Sequence, residues 1–227
     1  MFSEFDEYDR IFDPWIAGSE LYNLNHSNGK WVKVSPNLLY VIKASMNFAR
    51  LTDGTFDPTI GRLIPLWGFN TDNTKSWHLP TSDEIQESLK HVGYKNVEIN
   101  GNEVRLLNGV WLDLNGMMEG YIDQMLIDMA KQNDPESSGF VDVGGTVGII
   151  GPKYGNQPWI IGIQNFESVT TVSTRSIFSD GFGVFSMVAG QSAMEKMASK
   201  LGVAYYAINE QGQVIKNEEW QKYEYKP

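Results

Sequence analysis

The sequence predicts an α+β fold: a single domain, residues 1–227, with a mixed, mostly antiparallel sheet and packed helices. Segments with helical spacing of apolar residues alternate with short runs rich in β-branched and aromatic residues. Asn100-Gly101 stands between two such runs, and this dipeptide favours a tight antiparallel hairpin. No clear linker divides the chain, so one domain is expected.

Four segments are predicted to be helical. The first, "SPNLLYVIKASMNFARLT", has Ser35 as an N-cap and places Leu38, Ile42 and Met46 on one stripe. The second, "TSDEIQESLKHVG", begins with a Thr-Ser pair, either member of which can cap it, and stops at Gly93. The other two, "MMEGYIDQMLIDMAKQ" and "SDGFGVFSMVAGQSAMEKMASKLG", keep helical spacing despite internal glycines.

The predicted strands are short and lie between and after these helices. Three follow the second helix, in "NVEI", "EVRLL" and "WLDL". Three follow the third, in "GFVDV", "TVGIIG" and "WIIGI", and a glycine pair separates the first two of them. A further strand is expected in "ESVTTVSTRS", and "VAYYAI" and "QVIK" form a closing hairpin.

The charge balance of the chain limits its partners. Eighteen Lys and Arg against 28 Asp and Glu give a net charge of 18 − 28 = −10. Such an acidic protein is not expected to bind nucleic acid by neutralising phosphates, nor to be drawn to an anionic membrane. No run is long and apolar enough to predict a transmembrane segment. The acidic N-terminus has no apolar signal core, so the chain is expected to be cytoplasmic or a trimmed exported form.

Several kinds of chemistry are excluded by residue counts. The chain has no cysteine, which excludes disulfides, thiol catalysis and cysteine-ligated metals. Its three histidines, His26, His78 and His91, are scattered without metal-ligand spacing, and we interpret them as surface or core residues.

Four stretches combine glycines with an acid, and these are the candidate functional segments. They are "DGTFDPT", "LDLNGMMEG", "VDVGG" and "SDGFG". Glycine lets the main chain approach a ligand closely, and a helix N-terminus favours phosphate. An Asp at such a place either caps the helix or binds Mg²⁺, and the residues alone leave both open for Asp180. None of the four is a dinucleotide or Walker fingerprint.

In this order the stretches resemble the FAD:protein FMN transferase family, also called the ApbE family. The most specific block is Gly54, Phe56-Asp57-Pro58-Thr59 and then Trp67-Gly68-Phe69. The other matching stretches are "SELYNLN" (19–25), "DLNGMMEGY" (113–121), Gly144-Gly145 with Pro158-Trp159 and Gly162-Ile163, and "SVTTVSTRSIFSDGFGV" (168–184).

The resemblance implies an enzyme that uses Mg²⁺ and moves FMN from FAD to a Thr of a flavoprotein acceptor. It implies that Asp180 is the catalytic residue and holds the metal, aided by a main-chain oxygen near Met117 or Met118, of which Met118 is the predicted ligand. The residues that it places at the flavin nucleotide are Asp57, Thr59, Trp67, Phe69, Gly116, Glu119, Gly144 and Gly145.

The chain departs from the family pattern at several places. Glu119 stands where the family has Lys, and Val184 where it has the Thr of its metal-binding motif. The family's N-terminal strand with Met-Gly-Thr, and its histidine-containing segment after the position of Phe166, have no counterpart. These departures favour an alternative: a transfer-deficient relative that binds flavin or a partner protein. A third interpretation, a carbohydrate or peptide binder, rests only on seven Trp and ten Tyr.

Two geometric hypotheses follow from the pattern. Trp67 and Phe69 are expected to line one wall of a cleft, because they end a run punctuated by Gly and Pro. Asp180 is expected to cap a helix beginning near Gly181 and to point toward "NGMMEG".

Overall fold

The structure, a computed structural model, describes residues 2–69, 77–162 and 168–224, with side chains from residue 7 onward. It falls into two compact units, residues 1–115 and 116–227. The predicted α+β class is confirmed: helices combine with small sheets in which every described strand pair is antiparallel. That the whole chain acts as one domain stays a prediction.

The first unit combines helices with one three-stranded sheet of order β1-β3-β2. Its elements are α1 (Phe2–Phe12), α2 (Glu20–Asn25), β1 (Val32–Lys33), α3 (Pro36–Leu51), α4 (Ser82–Leu89), β2 (Val97–Asn100) and β3 (Glu103–Leu106).

Helix α3 forms as its sequence predicts. Ser35 is the N-cap, and its hydroxyl accepts a hydrogen bond from the Leu38 N–H at 3.2 Å. Pro36, which lacks an N–H, occupies the first helical position where no such donor is needed. The stripe of Leu38, Ile42 and Met46 is buried to 1% exposure or less, so this helix supplies much of the core of the unit.

The hairpin at Asn100-Gly101 is confirmed, but the strand predicted in "WLDL" is wrong. Trp111 makes only an isolated parallel bridge to Ile60. The next residue, Leu112, has both backbone groups bound to the buried Asn25 side chain, at 3.0 and 2.8 Å. A side chain thus takes the place of a neighbouring strand, and no ladder forms.

The second unit holds a two-stranded sheet and a three-stranded sheet of order β6-β7-β8. Its elements are α5 (Asn115–Asn133), β4 (Gly139–Val143), β5 (Thr146–Gly151), β6 (Ser168–Val172), α6 (Ser176–Ala189), α7 (Gln191–Leu201), β7 (Ala204–Ile208) and β8 (Val214–Lys216). Its core includes Met117, Ile122, Leu126, Ile177, Phe182, Phe185 and Tyr205.

Two predictions in this unit need correction. The fourth predicted helix is two helices, because Gly190 takes φ 74° and ψ 161°, a conformation that breaks α6 from α7. The strand predicted in "WIIGI" is absent over residues 159–162, and Ile163 lies outside the described residues. Trp159 instead donates its indole N–H to the Gly151 carbonyl at 2.8 Å and stacks edge-on against Phe140.

Within the described ranges, none of the helices combines the length and apolarity that crossing a membrane requires.

Candidate functional site

In the first unit, Asp57 and Thr59 form an internal hydrogen-bond network. The Asp57 carboxylate accepts from the Thr59 N–H at 2.9 Å, the Thr59 hydroxyl at 2.6 Å and the Tyr94 N–H at 2.9 Å. The Thr59 hydroxyl in turn accepts from the Gly93 N–H at 2.7 Å. Thr59 has no exposed surface, so its hydroxyl is used inside the protein. Contact of either residue with a flavin stays a prediction.

Trp67 and Phe69 are not enclosed in the core. Phe69 is 56% exposed, Trp67 is half-buried, and the Phe69 ring meets Trp77 edge-on at 5.5 Å. The chain turns sharply between them because Gly68 has φ 78°, a left-handed conformation that suits glycine. The rings therefore offer apolar surface, while a cleft beside them stays a prediction.

In the second unit, the glycine-rich start of α5 meets Asp180 of α6. The Asp180 carboxylate accepts a hydrogen bond from the Gly120 N–H at 3.1 Å, across 60 residues of sequence. A Cβ on Gly120 would lie 2.5 Å from the Ser176 carbonyl oxygen, so glycine is what lets the two helices approach. The predicted contact between Asp180 and "NGMMEG" is confirmed.

The predicted capping role of Asp180 is wrong. Helix α6 begins at Ser176, four residues earlier, with Arg175 as an N-cap that makes no side-chain capping bond. Asp180 lies in the second turn, where its side chain projects toward α5 instead of toward the helix start. Val184 lies four residues after Asp180 on the same helix. It is 45% exposed, and its side chain has no oxygen that could bind a metal.

Glu119 lies against the tip of the β4–β5 hairpin. Gly144 and Gly145 form its two-residue turn with φ 62° and 99°, as a tight hairpin with two positive φ angles requires. A Cβ on Gly144 would lie 2.3 Å from a Glu119 carboxylate oxygen, and the Thr146 hydroxyl lies 3.5 Å from the other. The Gly145 N–H is bound by Asp142 at 3.1 Å.

Asp123 is a residue of this region that the sequence reasoning missed. It follows Glu119 by four residues on α5, so the two side chains share a face of the helix. Asp123 is completely buried, and neither carboxylate oxygen has a hydrogen-bond partner within the described residues. The sequence did carry a signal: Asp123 stands four residues after another acid and directly after Ile122, which is buried.

Burial and like charge perturb these carboxyl groups. Burial raises the pKa of Asp123 to about 7, and the negative charges of Asp142, Asp180 and Glu119 add to the effect. Burial also raises the pKa of Asp180 to about 6, against the Gly120 hydrogen bond that lowers it. The pKa of Glu119 is raised in the same way, first by burial. Four acids therefore share one region, and none of them takes part in an ion pair of the described residues.

The donor chemistry suits a hard cation such as Mg²⁺, which prefers oxygen ligands. Of the residues described, no three His, Asp or Glu side chains stand close enough to hold a metal together. Mg²⁺ is commonly bound through one or two carboxylates and several waters, so a smaller donor set still fits. The Met118 carbonyl lies inside α5, where helical geometry directs it along the helix axis. Its role as a ligand stays a prediction.

Comparison with known proteins identifies the family. The model of the ApbE family matches residues 1–179, well over half of the chain. The chain belongs to the ApbE family. The ApbE protein of Thermotoga maritima superposes with a TM-score of 0.90 at 28% identity, covering 99% of this chain and 90% of that one. The flavinyl transferase ApbE of Pseudomonas stutzeri, at 18% identity and a TM-score of 0.85, supports the fold, covering 97% of this chain and 86% of that one.

Two curated ApbE relatives carry the name FAD:protein FMN transferase. The protein of Salmonella typhimurium is 22% identical, over 94% of this chain and 77% of its own length. That of Vibrio cholerae is 28% identical, over 78% of this chain and 52% of its own length. The chain thus spans about half the length of the Vibrio relative that it matches.

The structure brings together part of the site that ApbE membership implied. In the second unit, Asp180 meets Gly120, and Glu119 meets Gly144. Gly116 is the second residue of α5 and is half-buried. The individual roles of these residues toward a ligand stay predictions, as do those of the first-unit residues.

Proposed function

We propose that this chain binds FAD and transfers its FMN half to a Thr of a flavoprotein acceptor, with Mg²⁺. The observation that carries the proposal is the bond between Asp180 and the Gly120 N–H, because it joins two sequence blocks of the ApbE pattern at one place. The names of the curated relatives support the substrate and the reaction.

The proposed reaction exchanges a phosphoanhydride bond of FAD for a phosphate ester bond to threonine. A bond forms between the acceptor threonine oxygen and the phosphorus of the FMN half of FAD. The bond from that phosphorus to the bridging pyrophosphate oxygen breaks, AMP leaves with that oxygen, and the threonine proton passes to a base. Mg²⁺ supplies a Lewis acid that neutralises charge on the pyrophosphate.

The residues of the chain bind and orient the substrate. In the first unit, the exposed face of Phe69 and half-buried Trp67 supply apolar surface of the kind that a flavin ring stacks on. In the second unit, Gly116 at the start of α5 and the turn glycines Gly144 and Gly145 expose main chain to the phosphates. The Asp180 carboxylate, which accepts a hydrogen bond from the Gly120 N–H, would hold the metal.

A second candidate is a family relative that binds flavin or a partner protein but does not transfer FMN. Two observations favour it. Glu119 adds a negative charge in a region already holding Asp123, Asp142 and Asp180, which repels a pyrophosphate. Val184, one turn after Asp180, offers no oxygen to a metal.

Incubation of the purified chain with FAD, Mg²⁺ and a flavoprotein acceptor separates the two candidates. Transfer adds the mass of an FMN group to the acceptor and releases AMP, and an acceptor whose target Thr is replaced by Val is the control. Asp180→Asn should abolish the mass gain. A visible spectrum that shows bound flavin without any mass gain supports the second candidate. A protein that stays colourless after FAD is added overturns the transferase and the flavin-binding form of the second candidate.

A further inference from the structure

A surface cavity of about 240 Å³ in the first unit is lined by none of the residues assigned to the candidate site. Its walls come from residues 62–65, from the C-terminal end of α4 and from the segment after β3. The lining residues are Arg62, Pro65, Glu87, Ser88, His91 and Trp111. One water needs at least about 10–15 Å³ of such space, so a small ion fits together with several waters.

Arg62 presents a positive charge to this cavity. Its guanidinium lies over the Trp111 ring, 4.4 Å from the centroid, and its Nε donates to the Gly109 carbonyl at 2.5 Å. These contacts leave the two Nη groups, which form an edge that suits an oxyanion. Arg62 is half-buried and takes part in no ion pair of the described residues.

Aromatic packing fixes the ring on which Arg62 lies. His26 contacts the Trp111 ring with centroids 4.5 Å apart, and Tyr22 stacks on His26 at 3.9 Å. The Trp111 carbonyl also accepts a hydrogen bond from the Gly61 N–H, next to Arg62, at 3.0 Å. The guanidinium is therefore positioned before a ligand arrives, which lowers the entropy cost of binding.

His91 and Ser88 add two polar groups to the wall. The His91 Nδ1 lies 2.7 Å from the Asn108 carbonyl oxygen, which can only accept, so Nδ1 carries a proton and Nε2 is left for a ligand. A Cβ on Gly109 would lie 3.1 Å from this Nδ1 and 3.7 Å from an Nη of Arg62, so both side chains border the same glycine. Ser88 contributes a hydroxyl.

The charge of the cavity is positive although the chain is acidic. Of the lining residues only Glu87 is an acid, and its carboxylate forms an ion pair with Lys90. The charge of Arg62 has no such partner among the described residues. A concave site of this sign attracts an anion even in a protein whose net charge is −10.

We propose that this cavity binds a phosphate group, held by the Nη groups of Arg62 with Ser88 and His91 beside it. The arginine fork matches two phosphate oxygens, the hydroxyl donates to another, and the imidazole Nε2 accepts the proton of a hydrogen phosphate. Groups from three segments suit a tetrahedral anion better than a planar carboxylate. The phosphate is either the free ion or the end of a nucleotide, and both sources share this chemistry.

Calorimetric titration of the full chain with inorganic phosphate tests the site. It is run without FAD or Mg²⁺ at low ionic strength, where screening is weak. Wild type should bind with a Kd tighter than about 1 mM. Arg62→Gln should weaken binding about tenfold or more, and Arg62→Lys should recover only part of the loss because an ammonium has no planar fork. Ser88→Ala and His91→Ala should each weaken binding about twofold to tenfold.

Two changes of charge serve as matched controls. Arg50→Gln removes the same charge at an exposed position of α3 outside the cavity, and should leave binding unchanged. Glu87→Gln removes the acid from the wall and should tighten binding. Thermal unfolding of every variant shows that it is folded. Ser88→Ala and Glu87→Gln lie on α4 and leave the contacts of Arg62 in place, so they test the site even if Arg62→Gln unfolds the protein.

Parallel titrations with AMP and with acetate identify the ligand. AMP binding that is tighter than phosphate binding, and is lost in Arg62→Gln, would assign the phosphate to a nucleotide. AMP binding that is no tighter would assign the free ion. Acetate that binds as tightly as phosphate would overturn the choice of a tetrahedral anion.

Three further results would overturn the proposal. Absence of phosphate binding would leave Arg62 as a group that only packs on Trp111. Binding that Arg62→Gln leaves intact would place the anion elsewhere in the chain. Binding that Arg50→Gln weakens equally would reflect net charge alone. None of these results bears on FMN transfer, because the titration contains neither FAD nor an acceptor.

Discussion

At the residue scale, Asp123 is the most unusual group in the second unit. Leaving a carboxylate buried and unpaired costs several kcal/mol, so natural proteins either neutralise such a group or give it a ligand. Its pKa of about 7 is the consequence of burial first and of Asp142, Asp180 and Glu119 next. The group therefore makes stability depend on pH.

The stability of this protein should change with pH in the opposite direction to that produced by an acid in a salt bridge. Between an ordinary carboxyl pKa of about 4 and the folded value of about 7, the native state holds more protons than the unfolded state. Stability should therefore fall as pH rises through this window, by about 4 kcal/mol, and level off above it. Urea unfolding at a series of pH values measures this fall.

The same measurement on Asp123→Asn provides the control for that fall. The amide cannot titrate, so most of the decrease should vanish, while Asp180, with a pKa of about 6, keeps a smaller one. An unchanged slope in Asp123→Asn would show that the titration belongs to another group.

Thr59 belongs to the most specific motif of the sequence, yet its polar side chain forms hydrogen bonds inside the protein. Thr59→Val keeps the shape but removes the hydroxyl that donates to Asp57 and accepts from the Gly93 N–H. The Gly93 N–H is then left unpaired, so the free energy of unfolding should drop by about 1–3 kcal/mol. Denaturant unfolding checks this, with Thr55→Val, an exposed site, expected to change stability by less than about 0.5 kcal/mol.

At the element scale, the crossing of α5 and α6 depends on Gly120. The Ser176 carbonyl and the Ile177 Cα lie 2.5 and 2.8 Å from where its Cβ would be. Because these atoms are backbone, no side chain can move aside to make room. The same close approach brings the Gly120 N–H within hydrogen-bond distance of Asp180. Gly120 therefore serves both the packing of the two helices and the candidate site.

Gly120→Ala should therefore destabilise the protein although alanine is the better helix former. We expect a loss of at least about 1–3 kcal/mol from overpacking, together with loss of any Mg²⁺ response that needs Asp180. Gly183→Ala on α6 is the matched control, because nothing lies within 4 Å of its Cβ position. That change should stabilise by about 0.5–1 kcal/mol. Thermal unfolding of both variants gives the comparison, and a harmless Gly120→Ala would refute the close approach.

At the scale of the whole molecule, the balance of charge bears on whether FMN is transferred. The chain carries a net charge of −10, and the region around Asp180 adds to that repulsion locally. Phosphoryl-type transfer depends on positioning and on neutralising charge. We therefore expect the proposed transfer to be slow.

The double variant Glu119→Lys with Val184→Thr should raise the transfer rate. Each preorganised group of this kind contributes about 10²–10³ in rate, although the two effects need not multiply. Single-turnover transfer to the acceptor, followed by mass, measures the change. A robust rate in wild type would contradict the expectation, and a rate that falls in the double variant would identify Glu119 as a working ligand.

The sequence by itself determined the local structure and the family. The cap at Ser35 and the turn at Asn100-Gly101 are interactions within four residues, so spacing and residue type suffice to predict them. For the next helix the sequence left Thr81 and Ser82 both open, and the structure has Thr81 as the cap. The order of the motif blocks pointed to the ApbE family, which the match over residues 1–179 confirms.

Tertiary structure decided the features that depend on distant residues. Asn25 binds Leu112 across 87 positions and replaces a predicted strand, and Gly120 meets Asp180 across 60. The burial of Asp123 against Gly148 depends equally on how α5 packs on the hairpin. A sequence pattern specifies which face of an element is apolar, but not which backbone will press on it. The prediction that Asp180 caps a helix was therefore wrong, while the prediction that it contacts the start of α5 was confirmed.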